Sequence, residues 1–143
     1  MPTIYRSMFH TSGQPLVGSG RNQLGVRVPP QSPADVHPDA QGIISSGGGM
    51  SVSRHWNKLP GRLIPERLHT ICPKARGDDS LRCFRHGQGE FCDGTVAAGL
   101  VLRVTSGVHG QVEPDAEVSV QAFQAALAAT RDDWMVDEEA SGS

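Results

Sequence analysis

The chain reads as an α+β domain, a small and mostly antiparallel sheet closed by one amphipathic helix at its C-terminal end. Three observations predict this class. Between Thr95 and Thr105, Leu100, Leu102 and Val104 face one way and Val101, Arg103 and Thr105 the other, the mark of a strand with one half-buried face. Phe123, Ala126, Leu127, Thr130 and Trp134 recur at helical spacing and form one buried stripe. The 17 glycines and 10 prolines among 143 residues assign much of the remainder to turns and irregular loop. With 37% apolar and 5% aromatic residues, the core is small and the surface excursions are long.

In chain order, Thr3 to Phe9 predicts a first strand, with Ile4, Arg6 and Met8 on one face and Tyr5 and Phe9 on the other. His10 to Gly20 is loop by composition. Gln23 to Val28 predicts a second strand, stopped by Pro29-Pro30. Four prolines between Pro29 and Gly42 make a long irregular excursion. Ile43 and Ile44 lead to the run Gly47-Gly48-Gly49, and Met50 to Ser53 is a short strand. Pro60 to Leu68 holds a helical turn or two, and Pro73 to Ser80 is loop. Thr95 to Thr105 is one strand, with Leu100, Leu102 and Val104 facing one way and Val101, Arg103 and Thr105 the other. Val108 to Glu113 follows a turn at Ser106-Gly107 and ends at Pro114, which cannot donate to a ladder. Ser119 is an N-cap for the helix. The domain spans 1–136, and 137–143 is an acidic tail with nothing to order it. No internal repeat is present.

The net charge of −2 is uneven. Asp132, Asp133, Asp137, Glu138 and Glu139 crowd the C-terminal end, and removing those five acids from the total leaves +3. From Arg54 to Arg85 the bases are Arg54, Lys58, Arg62, Arg67, Lys74, Arg76, Arg82 and Arg85, opposed by Glu66, Asp78 and Asp79. Such a middle suits a phosphate-bearing ligand or nucleic acid, or is a solvated surface. Three cysteines cannot all pair, which argues against a disulfide framework. No basic-then-apolar signal peptide opens the sequence, and no apolar run approaches the roughly 18 residues of a membrane span. The expectation is a soluble protein without membrane insertion.

Two constellations compete with a third. His69-x-x-Cys72 and Cys83-x-x-His86 have the spacing of two zinc-ligand pairs, with Cys92 as a substitute, although cysteines in the core explain them as well. Ser51, Ser53 or Cys83 with His109 and an acid would make a hydrolytic triad, but no nucleophile-elbow glycine pattern surrounds them. The glycine run lacks the lysine of a phosphate loop.

The third constellation is Arg6 on the first strand, Ser51 and Ser53 on one face of a short strand, and Glu113 on a later one. Moving ADP-ribose from NAD breaks an N-glycosidic bond through an oxocarbenium-like state. A carboxylate stabilises that cation, a serine orients the carboxylate, an arginine holds phosphate, and a tyrosine or histidine shapes the nicotinamide slot. On one strand His109 and Glu113 lie about 13 Å apart, so they would contact different parts of a ligand.

Tyr5-Arg6, Gly48-Gly49-Met50-Ser51-Val52, and His109-x-x-x-x-Pro114 followed by a helix ending near Trp134 resemble one protein group. These are the small type VI secretion effector toxins related to mono-ADP-ribosyltransferases, and the order Arg, Ser, Glu is similar to that of the arginine-serine-glutamate class. The resemblance implies a split sheet of ADP-ribosyltransferase type and NAD as substrate. It implies transfer of ADP-ribose to a macromolecular acceptor, or NAD hydrolysis, in a bacterial cytoplasm reached without a cleaved signal peptide. A cognate immunity protein is the implied partner. Glu113, Ser51 and Arg6 are the implied catalytic residues, and Tyr5, Arg6, Gly49, Ser51, Ser53 and His109 the implied NAD contacts. The basic insert Pro73 to Gly94 has no counterpart in the resemblance. A non-catalytic module whose basic, zinc-stabilised middle docks an acidic partner is the competing reading, and the few aromatics disfavour a nucleic-acid binder.

Overall fold

A computed structural model of the chain describes residues 1–45 and 47–139. Its elements in chain order are β1 (Ile4–Met8), β2 (His10–Thr11), β3 (Gln14–Pro15), β4 (Ile43–Ile44), β5 (Met50–Ser53), β6 (Arg82–His86), β7 (Gly94–Ala97), β8 (Leu100–Val104), β9 (His109–Pro114), β10 (Val118–Ser119), α1 (Val120–Ala128) and β11 (Met135–Val136). Seven strands form one antiparallel sheet in the order β11-β6-β1-β5-β9-β8-β7. Two small ladders, β2–β3 and β4–β10, stand apart from it. The architecture is therefore α+β, with an antiparallel sheet and one helix near the C-terminal end.

The sheet separates two cores. On one side Met8, Met50, Val52, Phe84, Leu102 and Val112 pack with Phe123 and Leu127 of α1. On the other, Tyr5 and Cys83 pack with Trp56, Leu59, Ile64 and Cys72 from the irregular segment after β5. Each of these large side chains stabilises the fold by roughly 1.5–3 kcal/mol through removal from water. The second core covers only the β1–β6 end of its face. The rest of that face is mostly polar: cross-strand pairing aligns Ser53 with His109, Ser51 with Gln111 and Gln111 with Arg103, with Val101 opposite Glu113.

Three expectations are corrected, and the basic insert finds its place. Thr95 to Thr105 is a hairpin, because Ala98-Gly99 turns the chain between Ala97 and Leu100 with Gly99 at φ +78°. Apolar residues run on both sides of so short a turn, from Val96 to Leu102, which hides it from periodicity. Gln23 to Val28 is not a strand. Leu24 and Val26 enter the core as irregular chain, and Gln124 of α1 satisfies Val26 in the place of a strand, accepting from its N–H (3.2 Å) and donating to its carbonyl (2.9 Å). The basic insert contributes β6, whose Cys83, Phe84 and His86 are buried on both faces, so it shows no alternation.

The third correction concerns the tail. Asp137, Glu138 and Glu139 are strapped down. The backbone N–H of Asp137 donates to the Cys83 carbonyl (2.9 Å), and its carboxylate accepts from the Tyr5 hydroxyl (2.9 Å) and pairs with Arg85 (3.3 Å). Glu138 takes a two-pronged grip from Arg67 (2.8 and 2.9 Å), and the Trp56 indole N–H donates to the Glu139 carbonyl (3.0 Å). Residues 140–143 of the expected tail lie outside the described residues. Helix α1 starts where expected, with Ser119 Oγ accepting from the Ala122 N–H (3.1 Å). Its stripe runs past the helix, where Trp134 Nε1 donates to Thr130 Oγ1 (2.9 Å).

Candidate functional site

The seam between β1 and β5 is the weak line of the sheet: the two strands register only at Tyr5 and Ser53. Beyond that pair the Arg6 guanidinium fills the gap. Its Nη1 donates to the Ser51 carbonyl (2.7 Å), while Nε and Nη2 donate to the Gln23 carbonyl (3.3 and 3.0 Å). Among the described residues no carboxylate forms an ion pair with Arg6. Burial pulls its pKa down to about 10, against the opposing pull of Asp35, so it stays cationic at neutral pH. A half-buried cation with no carboxylate in ion-pair contact is a natural seat for an anion. A guanidinium has five N–H groups, and the three contacts leave one on each terminal nitrogen, a fork suited to phosphate.

Arg6 opens into a cleft of about 370 Å³ whose walls include Arg21, Arg27, Asp35, Ser51, Arg62 and His109, with Leu59 and Leu63 as apolar surface. Arg27 and Asp35 form a clamp: the Arg27 backbone N–H and Nε donate to Asp35 Oδ2 (2.7 and 3.3 Å), and Nη2 donates to Oδ1 (3.2 Å). Ser51 is exposed at the cleft, and His109, also exposed, holds Nδ1 2.9 Å from Thr105 Oγ1. The fold thus brings three of the expected residues, Arg6, Ser51 and His109, to one place.

The other expected site residues stand elsewhere. Tyr5 is buried in the second core and tied to Asp137, with burial first and that hydrogen bond next raising its pKa to about 12. Ser53 is buried and its hydroxyl is directed at the His55 and Val108 carbonyls (2.9 and 3.2 Å). Gly49 meets the backbone of β9 rather than a ligand: a Cβ there would lie 2.1 Å from the Val112 carbonyl oxygen. The Glu113 side chain is 3% exposed and does not line the cleft. One of its oxygens accepts from the Gly47 N–H (3.2 Å), the other from Arg103 and from Gln111 Nε2 (2.8 Å). Its place is a polar network that ties the glycine run to β8 and β9.

Burial pushes the Glu113 carboxyl up, but Arg103, the Gly47 N–H and Gln111 outweigh it and hold the pKa below the ordinary value. A depressed folded-state pKa stabilises the fold fully above the unfolded value of about 4.3 and loses that contribution as pH falls through the folded value. Melting temperatures between about pH 6 and 3 should therefore fall steeply at the acid end, and less steeply in Glu113→Gln. Parallel curves for the two proteins would exclude this linkage.

Sequence reasoning missed Arg21, Arg27, Asp35 and Gln111. The first three come from an irregular segment where no periodicity marks an inward side, and Gln111 is visible only through its alignment with Ser51. The alternative zinc pairs are not brought together. Among the described residues no three His, Cys, Asp or Glu side chains group to hold a metal ion. Cys72 and Cys83 are free thiols in the second core, while His69 and Cys92 are exposed. Three residues on from Cys83, His86 takes the opposite face of β6, packs against Trp134 with ring centres 5.2 Å apart, and has its pKa lowered by burial. Cys83 is no nucleophile either, since burial raises its thiol pKa. The basic middle is partly neutralised at Arg67 and Arg85 by the chain's own Glu138 and Asp137. Among the described residues, no helix is long and apolar enough to cross a membrane. No family model matches the chain, and neither a curated protein nor a solved structure matches it.

Proposed function

We propose that this cleft binds NAD and that the chain is a toxin-type effector domain that breaks the nicotinamide–ribose bond. ADP-ribose then passes to a macromolecular acceptor in a bacterial cytoplasm, or to water. The observation that carries the reading is Arg6, a half-buried cation with no ion-pair partner among the described residues, opening beside Ser51 and His109 into a cleft with three further arginines. Arg6, Arg21 and Arg62 take the pyrophosphate, Ser51 Oγ takes a ribose hydroxyl, and the His109 ring borders the nicotinamide. The narrow β1–β5 seam supports a split sheet of ADP-ribosyltransferase type. A cognate immunity protein would act by covering the cleft.

Titration calorimetry with NAD tests the reading. The wild-type chain should bind, and Arg21→Ala and Arg62→Ala should each weaken binding by about 5-fold, less so as salt is raised. Absence of binding by the folded wild type would sink it. One observation favours a non-catalytic module instead: Arg67 and Arg85 already grip an acidic segment of this chain. That reading requires an acidic peptide, and not NAD, to occupy the arginine cleft.

A further inference from the structure

Breaking a nicotinamide–ribose bond leaves positive charge on the ribose, and a carboxylate must stand near that charge. Glu113 is poorly placed for the task. Its side chain is almost wholly buried, and it borders neither the arginine cleft nor the space beside it. Asp35 is placed differently. It is the acid among the cleft-lining residues, and it also borders an adjoining space of about 410 Å³ walled by Val36, Ile44, Gly48 and Gln111. A ligand made of two linked nucleosides is long enough to use both spaces, and Asp35 stands where they meet.

The Asp35 carboxylate is also fixed in place. Three N–H groups of Arg27 hold it, and the Asp35 N–H donates back to the Arg27 carbonyl (2.8 Å). Two of those donors go to Oδ2 and one, at 3.2 Å, to Oδ1, which leaves Oδ1 able to accept more. A rigid, pre-aimed acceptor is what stabilising a transient cation requires, since it needs no reorganisation as the bond breaks.

We propose that Asp35, rather than Glu113, is the carboxylate that faces the ligand and stabilises the positive charge developing on the ribose. The proposal rests on the NAD reading. In the hydrolytic form of the step, the C1′–N bond of NAD breaks and its electron pair stays with the nicotinamide ring. The cationic C1′ then bonds to a water oxygen, and the water's proton leaves to solvent. The products are ADP-ribose, nicotinamide and a proton. Asp35 supplies charge and orientation in this step and takes no proton.

The test follows nicotinamide release and NAD affinity in the full chain. Asp35→Asn is isosteric and can still accept from Arg27. It should lower kcat by about 100-fold while the Kd for NAD stays within about 3-fold of wild type. Asp35→Ala should lose turnover likewise and regain part of it in added formate, which a purely structural role would not allow. A folded Asp35→Asn that turns over NAD like the wild type overturns the proposal. So does a variant that loses affinity along with turnover, or a wild type that binds NAD without turning it over. A wild type that fails to bind NAD overturns the parent reading, and this one with it.

Discussion

Gly49→Ala is expected to destabilise the protein by about 3 kcal/mol, lowering Tm by on the order of 10 °C. The cause is steric and local. The added methyl would lie 2.1 Å from the Val112 carbonyl oxygen and 2.8 Å from its carbon, both backbone atoms of the neighbouring strand. Neither can swing aside, so β5 must move away from β9 or the glycine run must rebuild. Either response disturbs the registers Met50–Val112 and Ser51–Gln111 that set the serine beside the cleft. Thermal unfolding followed by circular dichroism checks the size of the effect. A Gly49→Ala protein with the wild-type Tm would mean that the strands do not approach so closely. Because Gly47 has open space around its Cβ position, the same change there differs in kind: its φ of +109° brings conformational strain without a collision.

Arg6→Gln is expected to weaken NAD binding by about 100-fold, as loss of charge-assisted hydrogen bonds of roughly 1.5–3 kcal/mol implies. Arg6→Lys should recover part of this, since it restores the charge but not the two-pronged grip. The site's logic produces the ranking. Arg21 and Arg62 contribute from the exposed cleft wall, where water screens them, whereas Arg6 is half-buried and held by the Ser51 and Gln23 carbonyls. Calorimetry with NAD, repeated with inorganic pyrophosphate, separates loss of the phosphate grip from loss of the rest of the site. A folded Arg6→Gln that binds both as tightly as the wild type would remove Arg6 from the site.

Much of the fold was legible in the residues. The strands around Ile4–Met8 and Met50–Ser53, the capped start of α1 at Ser119 and the apolar stripe of Phe123 and Leu127 follow from local pattern, and the structure keeps them. What escaped has a common cause. Strand β6 is buried on both faces, the Ala98-Gly99 turn is too short to interrupt alternation, and the Leu24–Val26 stretch is held by a side chain from α1. In each case the structure is decided by pairing between segments, near or distant in the chain, and a period of two cannot record it. The tail is the same case: Asp137 and Glu138 read as solvated acids until Tyr5, Arg67 and Arg85 are seen beside them.

The candidate site divides in the same way. Arg6, Ser51 and His109 could be singled out from the sequence because each sits on a recognisable strand of stated residue type. Their convergence depends on β1, β5 and β9 being neighbours in the sheet and on the seam between the first two opening after one registered pair. Glu113 shows the limit of reading type without place. A carboxylate on the right strand is buried with Arg103, Gln111 and the Gly47 N–H, while Asp35, paired with Arg27 on a proline-rich loop without any pattern, reaches the cleft. By itself the sequence determined the class of the fold, the start of its helix, the strands β1, β5 and β9 and the residue types available for anion binding, because those depend on local periodicity and composition. Only the tertiary structure decided which charges are spent on one another and which are left facing a ligand, because pairing between charges is settled by distance in space and not by separation along the chain.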